Sequence, residues 1–507
     1  MDRSNNLGVT SVGAFLHTFQ QGLVKTSSTL GEVSFGHLVI DSRDVCPGDA
    51  FVAVPGTATD GRRFIPNAIA QGASVVLEPS ECTFIERVDN CVRIGLPNLV
   101  EALPEMLHWR YSQAKQVRLL AVTGTNGKSS VAQYIAQLAS SSGIACGVIG
   151  TTGNGVWPDL HPTRNTTPGL DVMLRTLDGW ARSGVDLAAV EVSSHGLEQG
   201  RVQGLEFAVA ALTNLTQDHL DYHGDMESYY QAKRLLFTDY RIQQAFINID
   251  DAYGRRLLSE LPQTVKPVML GNTQAEDAPS VERWSWSSAS FGVQGIQAEL
   301  VYPGGQRTLH LPLIGGFNLA NAVLAVGMLS ALGVDKSVLL DATRKLKPVD
   351  GRMELLTCPD KPAVVLDFAH TPDALENVLA ALQDGQRPVS VVFGCGGDRD
   401  RCKRPLMMQA ALAASSQVWL TDDNPRYEDP DQIWADTLAV TGAETAHCQH
   451  DRALAIQEAV EQTPIDGLVV VAGKGHETTQ EIQGQKLPFS DLQVLAELGY
   501  RRMGEHA

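Results

Sequence analysis

The residues that most clearly suggest chemistry form a glycine-rich run, Gly124-Thr125-Asn126-Gly127-Lys128-Ser129-Ser130. An apolar run, RLLAVT, precedes it, and VAQYIAQLASSSG, which has the pattern of an amphipathic helix, follows it. Between a strand and a helix, backbone N–H groups and the helix N-terminus can cradle phosphate oxygens. Lys128 can then reach the β- and γ-phosphates, and the Ser129 hydroxyl can bind Mg²⁺. The run predicts an ATP-binding loop, and the alternative is a glycine turn followed by a chance lysine.

Two further polar clusters lie in the same region. Glu191 follows the apolar run of a predicted strand, where a carboxylate is well placed to bind Mg²⁺. The segment TNLTQDHLDYHG at 213–224 has two histidines four residues apart, but it lacks the glutamate of a zinc-protease H-E-x-x-H motif. We interpret it as a nucleotide and Mg²⁺ loop with His219 as the participant, and a plain polar loop is the alternative.

The basic groups are concentrated near the C-terminus. The run GCGGDRDRCKR at 394–404 contains Arg399 and three further cations, and for Arg401 to Arg404 a solvated face remains an equal alternative. Its start fails the dinucleotide pattern G-x-G-x-x-G because Arg399 occupies the last position. Arg426 follows a proline that fixes the turn, and a guanidinium suits bidentate recognition of a carboxylate. We therefore predict a functional role for Arg426.

The elements that position these groups suggest an α/β fold with three domains. Short apolar runs between turn residues predict a small α/β domain over 1–112, and the strand–loop–helix patterns predict a central P-loop ATPase-like domain over 113–347. Over 348–507, four apolar runs alternate with helical segments, and each ends in polar or glycine residues. That pattern is typical of a Rossmann-like doubly wound sheet, with a ligand crevice at the carboxyl ends of its strands.

Composition excludes several classes of function. The 507 residues carry a net charge of −18, which disfavours a nucleic-acid partner. Eight cysteines occur without a C-x-x-C pair, which argues against a structural zinc site and a disulfide framework. The N-terminus lacks the apolar core of a signal peptide, and no stretch is long and apolar enough to span a bilayer. We expect a soluble, cytoplasmic protein.

Together these motifs resemble the Mur ligase family over nearly the whole chain. Twelve runs in order carry the resemblance: DSRDVCPGDAFVAVPG, TGTNGKSS, NTT, EVSSHGL, TNLTQDHLDYHG, QAKRLLF, GGFNLAN, GRME, FAHTPDAL, GCGGDRDRCKRP, DDNPR and GKGHE. The resemblance implies a UDP-substrate domain, an ATP-binding ligase domain and an amino-acid domain, in that order.

The resemblance also implies roles for individual residues. The UDP part of the substrate would lie at Ser42, Thr57, Ala58 and Thr59. The muramyl dipeptide would be held by Asn165, Thr166, Thr167, Ser193, Gln199 and Arg201. The nucleotide would also meet Asn318, Arg352, Asp367 and His370. Lys233 matches a lysine that the family carries as a carbamate, whereas its residue type alone favours a plain surface lysine. With Lys128, the expected catalytic and Mg²⁺-side groups are Ser129, Glu191, His219 and carbamylated Lys233.

For the incoming amino acid, the matching positions are Arg399, Asp423, Asn424, Pro425, Arg426, Gly473 and Glu477. The DNPR form is similar to that of family members that add meso-diaminopimelate rather than lysine. Diaminopimelate has a second carboxylate, which Arg426 can pair, and an unpaired arginine would penalise lysine. The implied substrates are UDP-N-acetylmuramoyl-L-Ala-D-Glu, meso-diaminopimelate and ATP with Mg²⁺, and we expect a monomer.

Three alternatives stay open at this point. Another ligase of the superfamily would add D-alanyl-D-alanine or glutamate, although DNPR and GKGHE disfavour both. A P-loop kinase would transfer phosphate to a stable acceptor. A nucleotide-gated scaffold would show no turnover, although the presence of Lys128, Glu191 and Lys233 argues against it.

Overall fold

The computed structural model describes residues 8–19, 28–56, 59–272, 281–292, 295–383 and 387–502. The chain divides into two compact units. The first comprises Met1–Leu119, Thr167–Ala188 and His195–Glu206, and the second comprises Leu120–Thr166, Ala189–Ser194 and Phe207–Ala507. Within the described ranges, no helix has the length and apolar character needed to cross a membrane. All eight cysteines are unpaired, as predicted.

The N-terminal region folds around a five-stranded sheet of order β3-β4-β5-β7-β6. Its pairs are parallel except for β6 with β7, and β1 and β2 form a separate antiparallel pair. The elements are β1 (Thr10–Ser11), α1 (Val12–Phe19), α2 (Ser28–Gly31), β2 (Ser34–Phe35), β3 (Leu38–Val39), β4 (Ala50–Val52), α3 (Ile65–Ala70), β5 (Val75–Pro79), β6 (Phe84–Val88), β7 (Cys91–Leu96) and α4 (Leu99–Arg110). Val39 of β3, Phe51 of β4 and Val76 of β5 point to the same face of the sheet and pack with Ala68 of α3 in one core.

The central region is built on an eleven-stranded sheet of order β11-β10-β9-β12-β8-β13-β14-β15-β16-β17-β18. The elements are β8 (Arg118–Thr123), α5 (Lys128–Ser141), β9 (Gly147–Gly150), β10 (Gly153–Val156), β11 (Asp159–His161), α6 (Leu170–Arg182), β12 (Leu187–Glu191), α7 (Ser194–Glu198), β13 (Glu206–Leu212), α8 (Leu220–His223), α9 (Met226–Thr238), β14 (Arg241–Asn248), α10 (Ala252–Glu260), β15 (Lys266–Leu270), β16 (Glu282–Gly292), β17 (Gly295–Tyr302), β18 (Gly305–Leu311), α11 (Gly316–Ala331) and α12 (Lys336–Ala342). Parallel pairing of β8 with β13 brings the phosphate loop beside the segment that follows β13.

Helix α5 corrects one expectation. The pattern after the glycine loop predicted an amphipathic helix, but every residue from Ser129 to Ala139 is buried. The reason is that α11, α12 and β9 all pack against α5. On a helix that is enclosed in this way, small and polar residues lie where neighbouring elements approach closely. In the sequence, these residues have the same spacing as the exposed face of an amphipathic helix.

The C-terminal region has a seven-stranded sheet of order β23-β22-β21-β24-β20-β19-β27. The first five of these strands pair in parallel, and β19 and β27 are antiparallel additions. The elements are β19 (Glu354–Thr357), β20 (Ala363–Asp367), α13 (Pro372–Leu382), β21 (Val389–Phe393), α14 (Lys403–Ala414), β22 (Gln417–Leu420), α15 (Pro430–Thr437), β23 (His447–Cys448), α16 (Arg452–Gln462), β24 (Leu468–Ala472), the hairpin β25 (Thr479–Ile482) and β26 (Gln485–Pro488), α17 (Asp491–Glu497) and β27 (Arg501–Arg502). Short 3₁₀ turns elsewhere span Ser42–Asp44, Gly61–Phe64, Ser112–Gln116, Thr343–Lys345 and Ala443–Thr445.

Both faces of this sheet are covered, which explains its continuous apolar strands. On one face, strand residues such as Val391 pack with α13, α14 and α15. On the other face, the neighbouring Val392 packs with α16 and α17. The four strands predicted from the sequence are all present and parallel, so the doubly wound character is confirmed.

A buried ion pair ties α16 to α17. Arg452 donates from Nε and Nη2 to the two Asp491 oxygens at 2.7 and 2.8 Å, and both side chains are fully buried. Asp491→Ala would leave the guanidinium charge unpaired, so we expect a loss of about 3–5 kcal/mol in the free energy of unfolding. Urea unfolding measures it. Glu282→Gln, which breaks the exposed pair with Lys266, is the control and should cost less than about 1 kcal/mol. Equal losses in the two variants would contradict this account.

Candidate active site

The glycine loop joins β8 to α5, as predicted, and passes very close to the next strand segment. A Cβ on Gly124 would lie 1.9 Å from Oγ1 of Thr213, and the φ of Gly124 is 142°. Only a glycine fits there. The N–H of Asn126 donates to Oδ1 of Asn214 at 2.9 Å, which fixes the loop against this segment. The first N–H groups of α5 have no earlier turn to donate to, so they can bind an anion at the loop.

Lys128 folds back over this loop. Its Nζ donates to the carbonyls of Gly124 and Thr125 at 2.9 and 2.7 Å. Burial lowers the pKa of Lys128, while the negative charges of Glu191 and Asp218 oppose that lowering. The ammonium is therefore held above the cradle, within reach of an anion that would replace the carbonyl contacts.

Glu191 ends β12 and is fully buried beside the start of α5. Its Oε2 accepts from the Ser129 hydroxyl at 3.0 Å and from Oγ1 of Thr151 at 3.2 Å, and its Oε1 accepts from the N–H of Thr151 at 2.9 Å. Thr151 Oγ1 lies 2.9 Å from Oγ1 of Thr166. Burial raises the pKa of Glu191, and Lys128 opposes that rise. The carboxylate thus joins the phosphate loop to the threonines that follow β9.

This donor set suits a magnesium ion. Hydroxyl and carboxylate oxygens are the ligands that Mg²⁺ takes in proteins, and Ser129 and Glu191 present them side by side. Among the described residues, no three His, Cys, Asp or Glu side chains gather into a metal-binding group. A Mg²⁺ ion held by one or two protein oxygens, by waters and by nucleotide phosphates fits that arrangement.

Lys233 lies on α9 and is only 3% exposed, so it is not the plain surface lysine that its residue type favours. Its Nζ donates to the Gly124 carbonyl at 2.8 Å and lies 4.6 Å from the centre of the Tyr229 ring. Burial, with Lys128 nearby, holds the pKa of Lys233 well below its usual value. A buried amine with a lowered pKa is easily kept neutral, which is the form that can be carbamylated.

Asp218 was not singled out by the sequence, although its neighbour His219 was. Its carboxylate, 6% exposed, lies 3.4 Å from Nε2 of His219, 3.7 Å from Nε2 of His370 and 3.9 Å from Nζ of Lys403. Burial favours a higher pKa for Asp218, but the hydrogen bond and charge of His370, together with His219 and Lys403, hold the pKa well below its usual value. The Asp218 carboxylate thus lies close to two basic residues of the C-terminal region, His370 and Lys403.

The predicted nucleotide residues fall into two places. Asn318 lies on α11, where its Oδ1 accepts from the Tyr134 hydroxyl at 3.1 Å. Asp367 ends β20. Burial raises the pKa of Asp367, and the charge of Arg352 only partly opposes that rise. The Arg352 guanidinium lies 4.3 Å from the centre of the Phe368 ring, and its buried Nε has no hydrogen-bond partner among the described residues. An anion such as a phosphate would satisfy this donor.

The predicted UDP and dipeptide residues are distributed over both units. In the first unit, Arg201 donates to the Thr167 carbonyl at 2.8 Å and to Oε1 of Gln199 at 2.6 Å, which groups these three residues. Ser42 is buried and Thr59 is exposed in that unit, while Thr57 and Ala58 lie outside the described residues. In the second unit, Thr166 contacts Thr151, Asn165 is exposed and Ser193 is half-buried.

The predicted amino-acid residues meet at the carboxyl ends of β22 and β24, and Lys474, which the sequence did not single out, holds them together. Its fully buried Nζ lies 2.9 Å from Oε2 of Glu477, 3.1 Å from Oδ1 of Asn424 and 3.4 Å from Oδ1 of Asp423. Asn424 Nδ2 donates to Glu477 at 3.0 Å. One cation thus orders two carboxylates and an amide, which leaves negative charge for an ammonium group.

The two predicted arginines flank Gly396. A Cβ on Gly396 would lie 3.0 Å from Nη1 of Arg426 and 3.8 Å from Cγ of Arg399. Arg426 has a positive φ of 55° and donates from Nη1 to the Gly397 carbonyl at 2.7 Å. Arg399 is exposed and lines a cavity of about 600 Å³ that Asp221 also lines. A substrate carboxylate between β21 and β22 would meet both guanidinium groups.

The three other cations of the basic run, Arg401, Lys403 and Arg404, differ in burial. Arg404 is fully buried and donates to Glu428 and Asp436 at 2.6 and 2.7 Å, so the solvated-face interpretation is wrong for it. Lys403 is 7% exposed and faces Asp218, whereas Arg401 is exposed and pairs with Asp436.

His476, within GKGHE, is a further residue that the sequence did not single out. Its ring centre lies 5.2 Å from that of Phe368, and its buried Nδ1 has no partner in the described part of the chain. Burial and the charge of Arg352 lower the pKa of His476 to about 4, while the Thr151 backbone raises it. The neutral ring therefore lies beside the same threonine that binds Glu191.

The lowered pKa of His476 predicts a pH dependence. Between the ordinary value of 6.5 and about 4 the unfolded chain binds a proton that the folded chain does not, so stability falls as the pH falls through that window. At about 1.4 kcal/mol per pKa unit, the loss reaches about 3 kcal/mol. Urea unfolding from pH 7 to 4 measures this loss. His476→Gln should remove that part of the dependence, and an unchanged pH profile in the variant would contradict the assignment.

Comparison with known proteins agrees with this geometry. Three family models match consecutive parts of the chain: "Mur ligase family, catalytic domain" over residues 35–110, "Mur ligase middle domain" over 122–329 and "Mur ligase, glutamate ligase domain" over 351–475. This order, with the fold described above, confirms the three-domain α/β class. The predicted boundaries after residues 112 and 347 stay predictions.

Individual relatives extend over almost the whole chain. The UDP-N-acetylmuramoyl-L-alanyl-D-glutamate–2,6-diaminopimelate ligase of Vibrio vulnificus (strain YJ016) is 43% identical, with 92% of this chain and 95% of that protein covered. The ligase of the same name from Ectopseudomonas mendocina (strain ymp) is also 43% identical, with coverage of 90% and 93%. A solved structure of a ligase of that name has a TM-score of 0.63 and 36% identity, with coverage of 97% and 98%. The chain therefore belongs to the Mur ligase family.

Proposed function

We propose that this ligase joins meso-2,6-diaminopimelate to the γ-carboxylate of D-Glu in UDP-N-acetylmuramoyl-L-Ala-D-Glu, with ATP converted to ADP and phosphate, as a step of peptidoglycan synthesis. The observation that carries the choice of amino acid is the charge arrangement at the ends of β21, β22 and β24. Arg399 and Arg426 supply cations there, beside the carboxylates of Asp423 and Glu477. An amino acid with a second ammonium and a second carboxylate complements both sets of charges.

In the first step the γ-carboxylate attacks the γ-phosphorus of ATP, the bond to the β–γ bridging oxygen breaks, and an acyl phosphate and ADP form. The difficulty is to bring two anions together. Lys128, at the loop carbonyls, and Arg352, with its unsatisfied Nε, supply positive charge around the transferring group. When bound at Ser129 and Glu191, Mg²⁺ would neutralise phosphate charge.

In the second step the diaminopimelate amine attacks the acyl carbon, and phosphate leaves as the amide forms. Asp423 and Glu477, ordered by Lys474, bind the ammonium of the end that does not react, while Arg426 binds the carboxylate of that end. Lysine has no carboxylate at that end, so it would leave Arg426 without this partner. Alignment of the amine with the acyl phosphate supplies much of the rate enhancement.

Several finer assignments belong to the same proposal. Lys233 is carbamylated and acts with His219 on the Mg²⁺ side of the nucleotide, which its burial beside Gly124 and its lowered pKa support. Ser42 and the loop at Thr57 to Thr59 bind the UDP part, and Asn165, Ser193 and Arg201, with their neighbours, bind the dipeptide. The protein works as a cytoplasmic monomer.

The proposal is tested by ADP and phosphate release from the purified full chain with ATP, Mg²⁺ and the UDP-muramyl dipeptide. Meso-diaminopimelate, L-lysine and D-alanyl-D-alanine are offered separately, and the products are weighed by mass spectrometry. We expect turnover with diaminopimelate and a product heavier by one diaminopimelate minus water.

The other outcomes separate the alternatives. Preference for lysine would keep the ligase and overturn the role of Arg426. Phosphate transfer without an amine would indicate a kinase. An absence of turnover with every amine would favour a nucleotide-gated scaffold.

A further inference from the structure

The hairpin β25–β26 is joined to the turn that carries Arg426. The N–H of Arg426 donates to the Glu481 carbonyl at 2.9 Å, and the N–H of Gln483 donates to the Arg426 carbonyl at 2.6 Å. The N–H of Glu481 donates to Oδ1 of Asn424 at 2.9 Å. On the hairpin, these contacts use only the backbone of Glu481 and Gln483, so they hold residue 481 beside Arg426 whatever its side chain is.

The Glu481 side chain places a carboxylate against the guanidinium of Arg426. Its Oε2 lies 3.5 Å from Nε of Arg426, while Nη1 of Arg426 donates to the Gly397 carbonyl. The two side chains are 22% and 28% exposed, so water screens the pair only in part. The guanidinium proposed to bind the second substrate carboxylate therefore already has a carboxylate neighbour within the protein.

This neighbour has two opposite effects on amino-acid binding. With diaminopimelate, Glu481 places a like charge near the incoming carboxylate and reduces the positive potential that attracts it. With lysine, Glu481 keeps Arg426 partly paired, so the cost of an unsatisfied guanidinium is smaller. Both effects reduce the difference between the binding free energies of diaminopimelate and lysine.

We propose that Glu481 is a specificity-determining residue, which acts through Arg426 and weakens the selectivity of this ligase for an amino acid with a second carboxylate. The inference rests on the proposed function. It concerns the charge of one side chain and leaves the reaction and its product unchanged. The hairpin holds that charge in place, and removing the charge sharpens the selectivity.

The test is steady-state kinetics of the full chain and of Glu481→Gln with diaminopimelate, and with lysine as substrate and as competitor. Ion pairs that are exposed or partly buried contribute about 0.2–1 kcal/mol, which is about 1.4- to fivefold in a binding constant, and we expect the KM for diaminopimelate to fall by a factor in that range. The inhibition constant of lysine should rise by a similar factor. The kcat and the KM values for ATP and the UDP-muramyl dipeptide should not change, because the backbone contacts of residue 481 remain.

The matched control is Asp466→Asn. This substitution removes one exposed carboxylate just before the N-terminal end of β24, whereas the proposed amino-acid site lies at the C-terminal end of that strand. It should alter neither constant. An unchanged or raised KM for diaminopimelate in Glu481→Gln, or equal effects of the control, would overturn the role of Glu481 while the ligase stands. If the unaltered protein does not use diaminopimelate, the proposed function fails first.

Discussion

Replacement of Lys128 by Met is expected to lower kcat for ADP formation by about a thousandfold or more, with little loss of stability. A single cation on the transferring phosphoryl group is worth roughly 10³- to 10⁵-fold in related phosphoryl transfers. Lys128 donates to both the Gly124 and the Thr125 carbonyl, and an ATP phosphate would replace these carbonyls as its partner. A Met of similar length keeps the packing of the stem and removes only the charge and its hydrogen bonds.

The measurement is single-turnover ADP formation with saturating ATP and UDP-muramyl dipeptide, alongside the melting temperature of each variant. Lys345→Met, at an exposed lysine of the same region, is the control and should keep its activity. If Lys128→Met retained more than about a tenth of the rate, the loop would bind something other than the reacting phosphates.

Replacement of Arg426 by Met should lower kcat/KM for diaminopimelate by about 10²- to 10³-fold and leave turnover of lysine unchanged or improved. Truncating one partner of a hydrogen-bonded charge pair costs about 2–5 kcal/mol, and a 10²- to 10³-fold loss lies in the middle of that range. Turnover of lysine should not fall, because lysine has no second carboxylate that could pair with Arg426. Kinetics with each amino acid separates the two effects.

Arg501→Met is the matched control, because Arg501 is an exposed arginine of the same region on the edge strand β27. It should leave both amino acids unaffected. Equal losses for diaminopimelate and lysine in Arg426→Met would mean that Arg426 supports the turn and does not read the second carboxylate. Its bond to the Gly397 carbonyl makes that outcome a real test.

The sequence predicted the parts of the site that local pattern can encode. A glycine loop between a strand and a helix, and polar residues after the apolar runs of β20, β21, β22 and β24, have fixed consequences, because parallel strands end at one edge of a sheet. Gly124, Glu191 and Asn424 therefore lie where the motifs predicted.

The missed residues depend on contacts between distant segments. Lys474 matters because the segment after β24 reaches the segment after β22, although β21 lies between these strands in the sheet. Asp218 matters because His370 and Lys403 reach it from the C-terminal region. No local period identifies such partners. Helix α5 shows the reverse error, since its enclosure by α11, α12 and β9 cannot be read from its own residues.

The hairpin β25–β26 was also not predicted. Its sequence, TQEIQGQKLP, has few of the β-branched residues that favour strands, and its turn is formed by Gln483 and Gly484, both with positive φ. The hairpin is held by the turn at Arg426 rather than by its own propensity, which is why Glu481 becomes visible only in the structure.

The acyl-phosphate mechanism can be tested directly by an isotope measurement on the full chain. UDP-muramyl dipeptide with ¹⁸O in the γ-carboxylate of D-Glu is incubated with ATP, Mg²⁺ and meso-diaminopimelate, and both phosphate and nucleotide product are weighed. An acyl phosphate predicts one ¹⁸O atom in the released phosphate and one in the new amide. The UDP-muramyl product should then be heavier than the labelled substrate by one diaminopimelate minus one H₂¹⁸O. Unlabelled phosphate, or phosphate release without that product, would contradict transfer through an acyl phosphate.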